Sequence, residues 1–353
     1  VSLHRITAEQ AMARLSEFSA IIDVRSPAEF AQDHLPGAVN WPILDDEQRH
    51  QVGTEYKQVS AFEAKKRGAA IAARNIAAHI DRELMDKPKD WAPLIYCWRG
   101  GKRSGSLSLV LDQIGFRVSL IEGGYKAFRS AVIDDLALQV GRLHWRVICG
   151  TTGSGKTRLL HALAEQGAQV LDLEGLARHR SSVLGLLPGQ IQPTQKAYDT
   201  LLWDALRQFS ADRPVYVESE SKKVGNLAVA DSLITAMRNS PCLRLALDDV
   251  SRVRLLIEDY PFFVSDTGFF CERLATLVEV RGRERVQHWQ ELARSGQTEA
   301  VVEDLLTHHY DPAYIASIRR NFRHYETAPT WRPRDHSHQA MRELAEQILS
   351  QPT

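Results

Sequence analysis

The octapeptide Gly150-Thr151-Thr152-Gly153-Ser154-Gly155-Lys156-Thr157 constrains this chain more than any other stretch. A strand-like run, Trp145–Cys149, precedes it, and an amphipathic run, Leu159–Ala164, follows. Strand, glycine-rich loop and helix together make a P-loop. The glycines let backbone approach phosphates, with Thr151, Thr152 and Ser154 adding N–H groups to the cradle. Lys156 supplies a point charge, and Thr157 is placed to hold a metal ion. The motif demands an α/β sheet around it and announces a phosphate chain without naming ATP. Short apolar runs at Val170–Leu173, Val215–Glu218 and Leu243–Leu247 supply further strands between helical stretches.

A second loop carries different chemistry. After the apolar run Leu94-Ile95-Tyr96 come Cys97-Trp98-Arg99-Gly100-Gly101-Lys102-Arg103-Ser104, then a helical Ser106–Leu111. Converging N–H groups and the following helix dipole make such a turn an anion cradle. That field favours a thiolate, the nucleophilic form of cysteine. Cys97 is therefore the candidate nucleophile. Arg99, Lys102 and Arg103 are the candidate anion ligands.

Composition limits the remaining classes. The chain has 353 residues, 44% hydrophobic and 25% charged, with a formal net charge of zero. That length suits two or three globular domains, and a nucleic-acid partner would need local basic patches. No apolar run reaches membrane-spanning length, and Val1–Arg5 lacks the build of a secretory leader. The four cysteines, Cys97, Cys149, Cys242 and Cys271, form no C-x-x-C pair. A zinc knuckle is thus disfavoured and a reducing cytoplasm suits the chain.

The sequence divides into three parts. Residues 1–138 read as an α/β domain with strands at Ile21–Val24, Leu94–Tyr96 and Val118–Ile121. An alanine- and cation-rich helical insertion spans about 45–87. Its Lys65, Lys66 and Arg67 fit either a solvated face or a partner-binding one. Residues 139–280 form the P-loop domain. There Glu218 ends an apolar strand, where a carboxylate either organises Mg²⁺ with Thr157 or caps a helix. Residues 281–353 read as a helical extension packed on the P-loop domain. Its Arg319, Arg320 and Arg323 are interleaved with Phe322 and Tyr325, which suits either RNA backbone and bases or a solvated helix.

Asp23–Phe30, His34–Asn40, the Cys97 loop and Leu120–Tyr125 together resemble a rhodanese domain. Fused to a P-loop domain, they make the chain similar to the bacterial tRNA 2-selenouridine synthase family. Asp172–Arg180, Gln192–Lys196, Glu218–Gly225 and Tyr310-Asp311-Pro312 add to that resemblance over nearly the whole chain. The Cys97 loop is longer than in ordinary rhodaneses and holds Trp98 and two adjacent glycines, which argues against simple thiosulfate sulfurtransfer.

The resemblance implies a reaction on tRNA carrying wobble 2-thiouridine. Selenophosphate would donate selenium, and geranyl diphosphate would first alkylate the sulfur into a better leaving group. It also implies passing contact with a selenophosphate-producing enzyme and no tightly bound prosthetic group. Cys97 would then handle selenium. The P-loop would hold the diphosphate, with Arg178, His179 and Arg180 either completing the charge clamp or forming a solvated or tRNA-facing basic cluster. A rhodanese-type sulfurtransferase with an ATP-hydrolysing or kinase-like P-loop domain is the competing enzyme reading. A non-catalytic RNA-binding module fits poorly with the intact Cys97, Lys156 and Thr157.

Overall fold

Short apolar strands, each followed by a helix that covers one sheet face, build two parallel sheets in this chain. The structure, a computed structural model, describes residues 3–180 and 189–351. The chain divides into two compact units. The first comprises Val1–Leu136 with Pro193–Asp204, and the second Ala137–Gln192 with the chain from Ala205 onward.

The first unit holds strands β1 (His4–Ile6), β2 (Ala20–Asp23), β3 (Ala38–Asn40), β4 (Pro93–Tyr96) and β5 (Ser119–Ile121), ordered β1-β5-β4-β2-β3. Every pairing is parallel. All four residues of the central β4 are buried, as expected for a parallel strand covered on both faces. Ligands in such sheets bind beyond the carboxyl ends of strands, and the Cys97 loop leaves β4 at that end. The cation-rich insertion is two helices, Asp46–Gln58 and Ala61–Glu83, packed on each other. Asp45 and Ser60 cap them by accepting the Gln48 and Glu63 N–H groups, a gain of about 1 kcal/mol each. The chain returns to this unit at the helix Gln195–Leu206, whose Trp203 indole donates to Asp135 at 2.8 Å.

The second unit holds β6 (Trp145–Cys149), β7 (Gln169–Leu171), β8 (Val215–Glu218), a small hairpin of β9 (Lys223–Val224) and β10 (Leu227–Ala228), β11 (Cys242–Leu245) and β12 (Thr330–Trp331). Its main sheet runs β12-β11-β6-β8-β7 with all pairs parallel. The closing helix His338–Leu349 sets Met341, Leu344 and Ile348 against Leu159, Leu160 and Leu163 of the helix Lys156–Glu165. A second core gathers around the fully buried Trp289 and Phe270. The carboxyl-terminal segment is mostly helical, but it contributes the edge strand β12. Two residues are too few to leave a strand periodicity in the sequence.

Candidate active sites

Cys97 follows β4 directly and is 3% exposed. The Gly101 N–H donates to its Sγ at 3.2 Å, and the buried Ser104 hydroxyl donates at 3.1 Å. Gly101 caps the helix Lys102–Ile114, so the sulfur sits at that helix's amino end. The Gly123-Gly124 turn supports the loop from below. Tyr125 N–H donates to Cys97 O at 2.8 Å, and Lys126 N–H to Trp98 O at 3.0 Å. Gly124 has φ +60°, and a Cβ there would lie 2.2 Å from Cys97 O. Only glycine lets the two backbones meet this closely.

Tyr125 is itself fixed by a buried polar network. Asp23 and Arg25, both essentially unexposed, pair at 2.6 Å. The Arg25 guanidinium donates to Asp33 O at 2.6 Å and lies 3.9 Å over the Tyr125 ring. The Tyr125 and Thr200 hydroxyls both donate to Asp33 Oδ2, at 2.7 and 3.1 Å. Burial pushes the Asp33 carboxyl up, and these hydrogen bonds offset part of that rise. Breaking a buried pair such as Asp23–Arg25 typically costs about 3–5 kcal/mol.

The loop cations divide by role. Arg99 and Lys102 are exposed. Arg103 instead donates to Glu29 at 2.7 Å, and Arg49 approaches the same carboxylate at 3.3 Å. Burial alone would raise Glu29, but Arg103, aided by Arg49, holds it below the usual carboxylate range. Arg103 thus ties the loop helix to Pro27–Gln32, with much of its charge neutralised. A cation that sequence reasoning missed is Lys196, whose Nζ lies 5.8 Å from the Trp98 ring centroid.

The second site is the P-loop. Gly153 and Gly155 have φ +75° and +86°. Lys156 Nζ donates to Gly150 O at 3.0 Å and lies 5.0 Å over the Tyr314 ring. Burial opposes its charge, but Tyr314, Glu218, Glu220 and Glu174 outweigh that and raise its pKa. Ligand atoms of Glu174, Glu218 and Glu220 all lie within 4.8 Å of one another. Burial first, then Glu174, pushes Glu218 well above the carboxylate range, with Lys156 pulling the other way. Glu218 Oε1 is buried without a hydrogen-bond partner. Three crowded carboxylates, one orphaned oxygen and the adjoining Thr157 hydroxyl fit a hard divalent cation such as Mg²⁺.

These groups face a cavity of about 350 Å³. Its polar wall includes Lys156, Thr157 and Arg180, and its apolar wall Leu255, Tyr260 and Tyr310. Arg180 pairs with Asp259 at 3.2 Å and lies 4.8 Å over the Tyr260 ring. Of the three basic residues at 178–180 it alone lines the cavity. Arg178 is exposed in a left-handed helix cap with φ +50°. His179 is half-buried, and desolvation lowers its pKa. The buried Arg252 donates to Thr152 O at 2.8 Å and to Asp311 at 2.6 Å. It thereby pins the P-loop to the helix Asp311–Asn321, which carries Tyr314. Tyr314, Glu174, Glu220 and Arg252 had no role in the sequence reading. The one usable signal was Tyr310 and Tyr314, four residues apart at a helix start.

The candidate RNA-facing cations are all exposed. Lys66 pairs with Glu63 at 2.7 Å, Arg67 with Glu55 at 3.1 Å and Arg319 with Glu326 at 2.9 Å. Phe322, expected as a stacking platform, is 5% exposed and belongs to the interior. Tyr325 is half-buried, with the Arg244 guanidinium 5.7 Å from its ring centroid.

Comparison with known proteins assigns both units. Residues 7–131 match the rhodanese-like domain family, and residues 143–333 match the tRNA 2-selenouridine synthase AAA domain family. A tRNA 2-selenouridine synthase of Alcanivorax borkumensis is 33% identical over 332 residues, covering 85% of this chain and 90% of the relative. One from Nitrosomonas europaea is 39% identical over 248 residues, covering 68% of this chain and 63% of the relative. Among solved structures, a rhodanese-like domain protein from Staphylococcus aureus is 22% identical, covering 36% of this chain and 91% of that one, with a TM-score of 0.24.

Proposed function

The chain belongs to the tRNA 2-selenouridine synthase family, and from that premise we propose that it works in two chemical steps on wobble 2-thiouridine of tRNA. The second unit, which carries the P-loop, alkylates the sulfur. The first, rhodanese-like unit, Val1–Leu136 with Pro193–Asp204, then replaces the alkylated sulfur by selenium.

In the first step the thione sulfur attacks C1 of geranyl diphosphate. The C–O bond breaks, diphosphate leaves and the base loses its N3 proton. Lys156 and the loop N–H groups stabilise the charge growing on the leaving oxygen. Arg180 extends that positive wall, while Leu255, Tyr260 and Tyr310 offer apolar surface to the chain. Mg²⁺ held by Thr157 and Glu218, with Glu174 and Glu220, would neutralise further diphosphate charge.

In the second step selenium released from selenophosphate adds to C2 as hydrogenselenide, with water taking its place on phosphorus. The C–S bond breaks, the alkanethiol leaves and N3 regains a proton. Cys97 handles the selenium, with Gly101 N–H and the Ser104 hydroxyl holding negative charge at sulfur. Arg99 and Lys102 draw in the phosphate-bearing donor. A splayed wobble base needs no duplex melting to reach either loop.

The observation that most supports this reading is the division of chemistry between two cradles. One centres on a thiol with two donors on its sulfur. The other centres on a lysine beside three crowded carboxylates. Among the described residues no helix is long and apolar enough to cross a membrane. The test is mass spectrometry of nucleosides from thiolated tRNA incubated with geranyl diphosphate, selenophosphate or both. Cys97→Ser should accumulate the geranylated nucleoside and make no selenouridine. Selenouridine formation by Cys97→Ser at a near wild-type rate would refute the role of the thiol. Turnover that depends on ATP rather than geranyl diphosphate would favour the kinase-like reading.

A further inference from the structure

A large apolar cavity in the first unit lies beside the Cys97 loop. The helices Asp46–Gln58, Ala61–Glu83 and Lys102–Ile114 border an open cavity of about 850 Å³. The sequence explains the hollow. Gly68, Ala69, Ala72 and Ala73 fall on one face of their helix and are too small to fill it. Ile76 and Leu109 line the space without closing it, and Leu109 remains 55% exposed. The groove is open to solvent along Tyr56, Ala73 and Leu109, so a long apolar chain can enter it from outside. A large apolar pocket with a few placed polar groups is the usual form of a ligand site.

Charge and position define the occupant. The charged residues on the lining are Lys65, Lys102 and Arg103, all cations. Arg103 is paired with Glu29, whereas no carboxylate among the described residues pairs with Lys65 or Lys102. Gly101 and Ser104 touch the Cys97 sulfur, and their neighbours Lys102, Arg103 and Gly105 line the cavity. One helix turn therefore borders both the thiol and an apolar chamber with cations on its wall. An apolar chain attached to a polyanion matches that combination.

We infer that this cavity receives the alkyl chain of the S-alkylated wobble base during selenium transfer, with Lys65 meeting an RNA phosphate. The assignment rests on the alkylated intermediate of the two-step reading. Seating the chain here would present the C2–S bond to the Cys97 loop and prepare a room for the departing alkanethiol.

The test fills the cavity in the full-length enzyme. Ala73 is exposed on the cavity wall, so Ala73→Phe can enter the space without displacing the core. The probes are anticodon stem-loops carrying S-geranyl- or S-methyl-2-thiouridine, each reacted with selenophosphate. Ala73→Phe should raise KM for the S-geranyl RNA at least about tenfold, the loss of roughly two buried methylene groups. It should leave the S-methyl RNA and the alkylation of unmodified thiouridine unchanged. Equal KM values for wild type and variant on the S-geranyl RNA would overturn the assignment and leave the two-step reading intact. Loss of alkylation instead would also overturn it, since the cavity would then serve the alkyl donor. If wild type binds the S-geranyl RNA more tightly than the S-methyl RNA, Ala73→Phe abolishes that preference and neither RNA is turned over, the two-step reading fails while the alkyl site stands.

Discussion

Ser104→Ala isolates the electrostatic part of the thiol loop. The Cys97 sulfur accepts two hydrogen bonds, from Gly101 N–H at 3.2 Å and from the Ser104 hydroxyl at 3.1 Å. Ser104 is fully buried, so water does not replace the lost donor. Its single proton has two acceptors in reach, Cys97 Sγ and Gly101 O at 3.3 Å. An anionic sulfur wins that competition, because hydrogen bonds to charged groups are worth about 1.5–3 kcal/mol against about 0.5–1.5 for neutral ones. Removing the hydroxyl should therefore slow selenium transfer by roughly one to two decades, at 1.36 kcal/mol per decade. Fold stability should fall by only about 1 kcal/mol, the net worth of one hydrogen bond. The assay is single-turnover selenation of a pre-alkylated stem-loop, read as selenouridine by mass spectrometry. Thermal unfolding and alkylation of unmodified RNA serve as controls. A wild-type selenation rate in Ser104→Ala would refute the argument that this hydroxyl holds charge at sulfur. A drop in both steps together would mean that the substitution disturbs more than the thiol.

Lys156→Ala should cost alkylation about two to three decades, the usual loss of about 2.7–4 kcal/mol on removing one charge-stabilising donor. Selenation of pre-alkylated RNA should survive, and unchanged diphosphate release would eliminate this role. Glu218 binds its proton more tightly folded than unfolded, because burial and Glu174 raise it. Stability should therefore be greatest below the unfolded carboxylate range and fall as pH rises through the raised value, a slope that Glu218→Gln flattens. Added Mg²⁺ should recover the loss in wild type; melting curves over about pH 5 to 8 that show neither effect would remove Glu218 from the metal assignment. For tRNA binding, each phosphate neutralised should add about 0.7–0.9 to the log–log salt slope despite zero net charge. Charge reversal at Lys65 or Arg320 should lower that slope, whereas Phe322→Ala should cost about 3–5 kcal/mol of stability; a flat salt response would return these cations to an ordinary solvated face.

Both loops were legible because their chemistry is local. Gly150 to Thr157 and Cys97 to Ser104 each occupy one strand–loop–helix turn, so sequence order is spatial order. The strands around them declared themselves by short apolar runs. What sequence could not reveal was assembled across distance. Tyr314 reaches Lys156 from more than a hundred residues away, held by the Arg252–Asp311 pair. Glu174 and Glu220 become a cluster with Glu218 only when β7 lies beside β8. Arg103 looked like an anion ligand because its own loop is basic. Its actual partner, Glu29, sits on another helix, and no local pattern announces such a pairing. Lys196 reaches the Trp98 ring because Pro193–Asp204 belongs to the first unit although the chain on both sides belongs to the second. Phe322 shows the reverse error: an aromatic among arginines suggests a stacking platform, but burial decided its role.

The proposed chemistry carries a hazard that the structure addresses. An allylic diphosphate is a good alkylating agent, and a thiolate is a better nucleophile than a thione in most settings. A chain holding both would inactivate itself if its thiol met the electrophile freely. Cys97 is 3% exposed and its sulfur faces Gly101 N–H and Ser104 rather than solvent. The other three cysteines are also buried. Burial keeps a ten-carbon chain from lining up behind the sulfur. Native protein incubated with geranyl diphosphate and Mg²⁺, without RNA, should therefore keep its unmodified mass. Gly124→Ala, which drives a methyl group into Cys97 O, should open the loop and permit one geranyl adduct at Cys97. Stoichiometric geranylation of Cys97 in the wild type would contradict this protection. It would also recast the thiol as an alkyl carrier rather than the selenium handler.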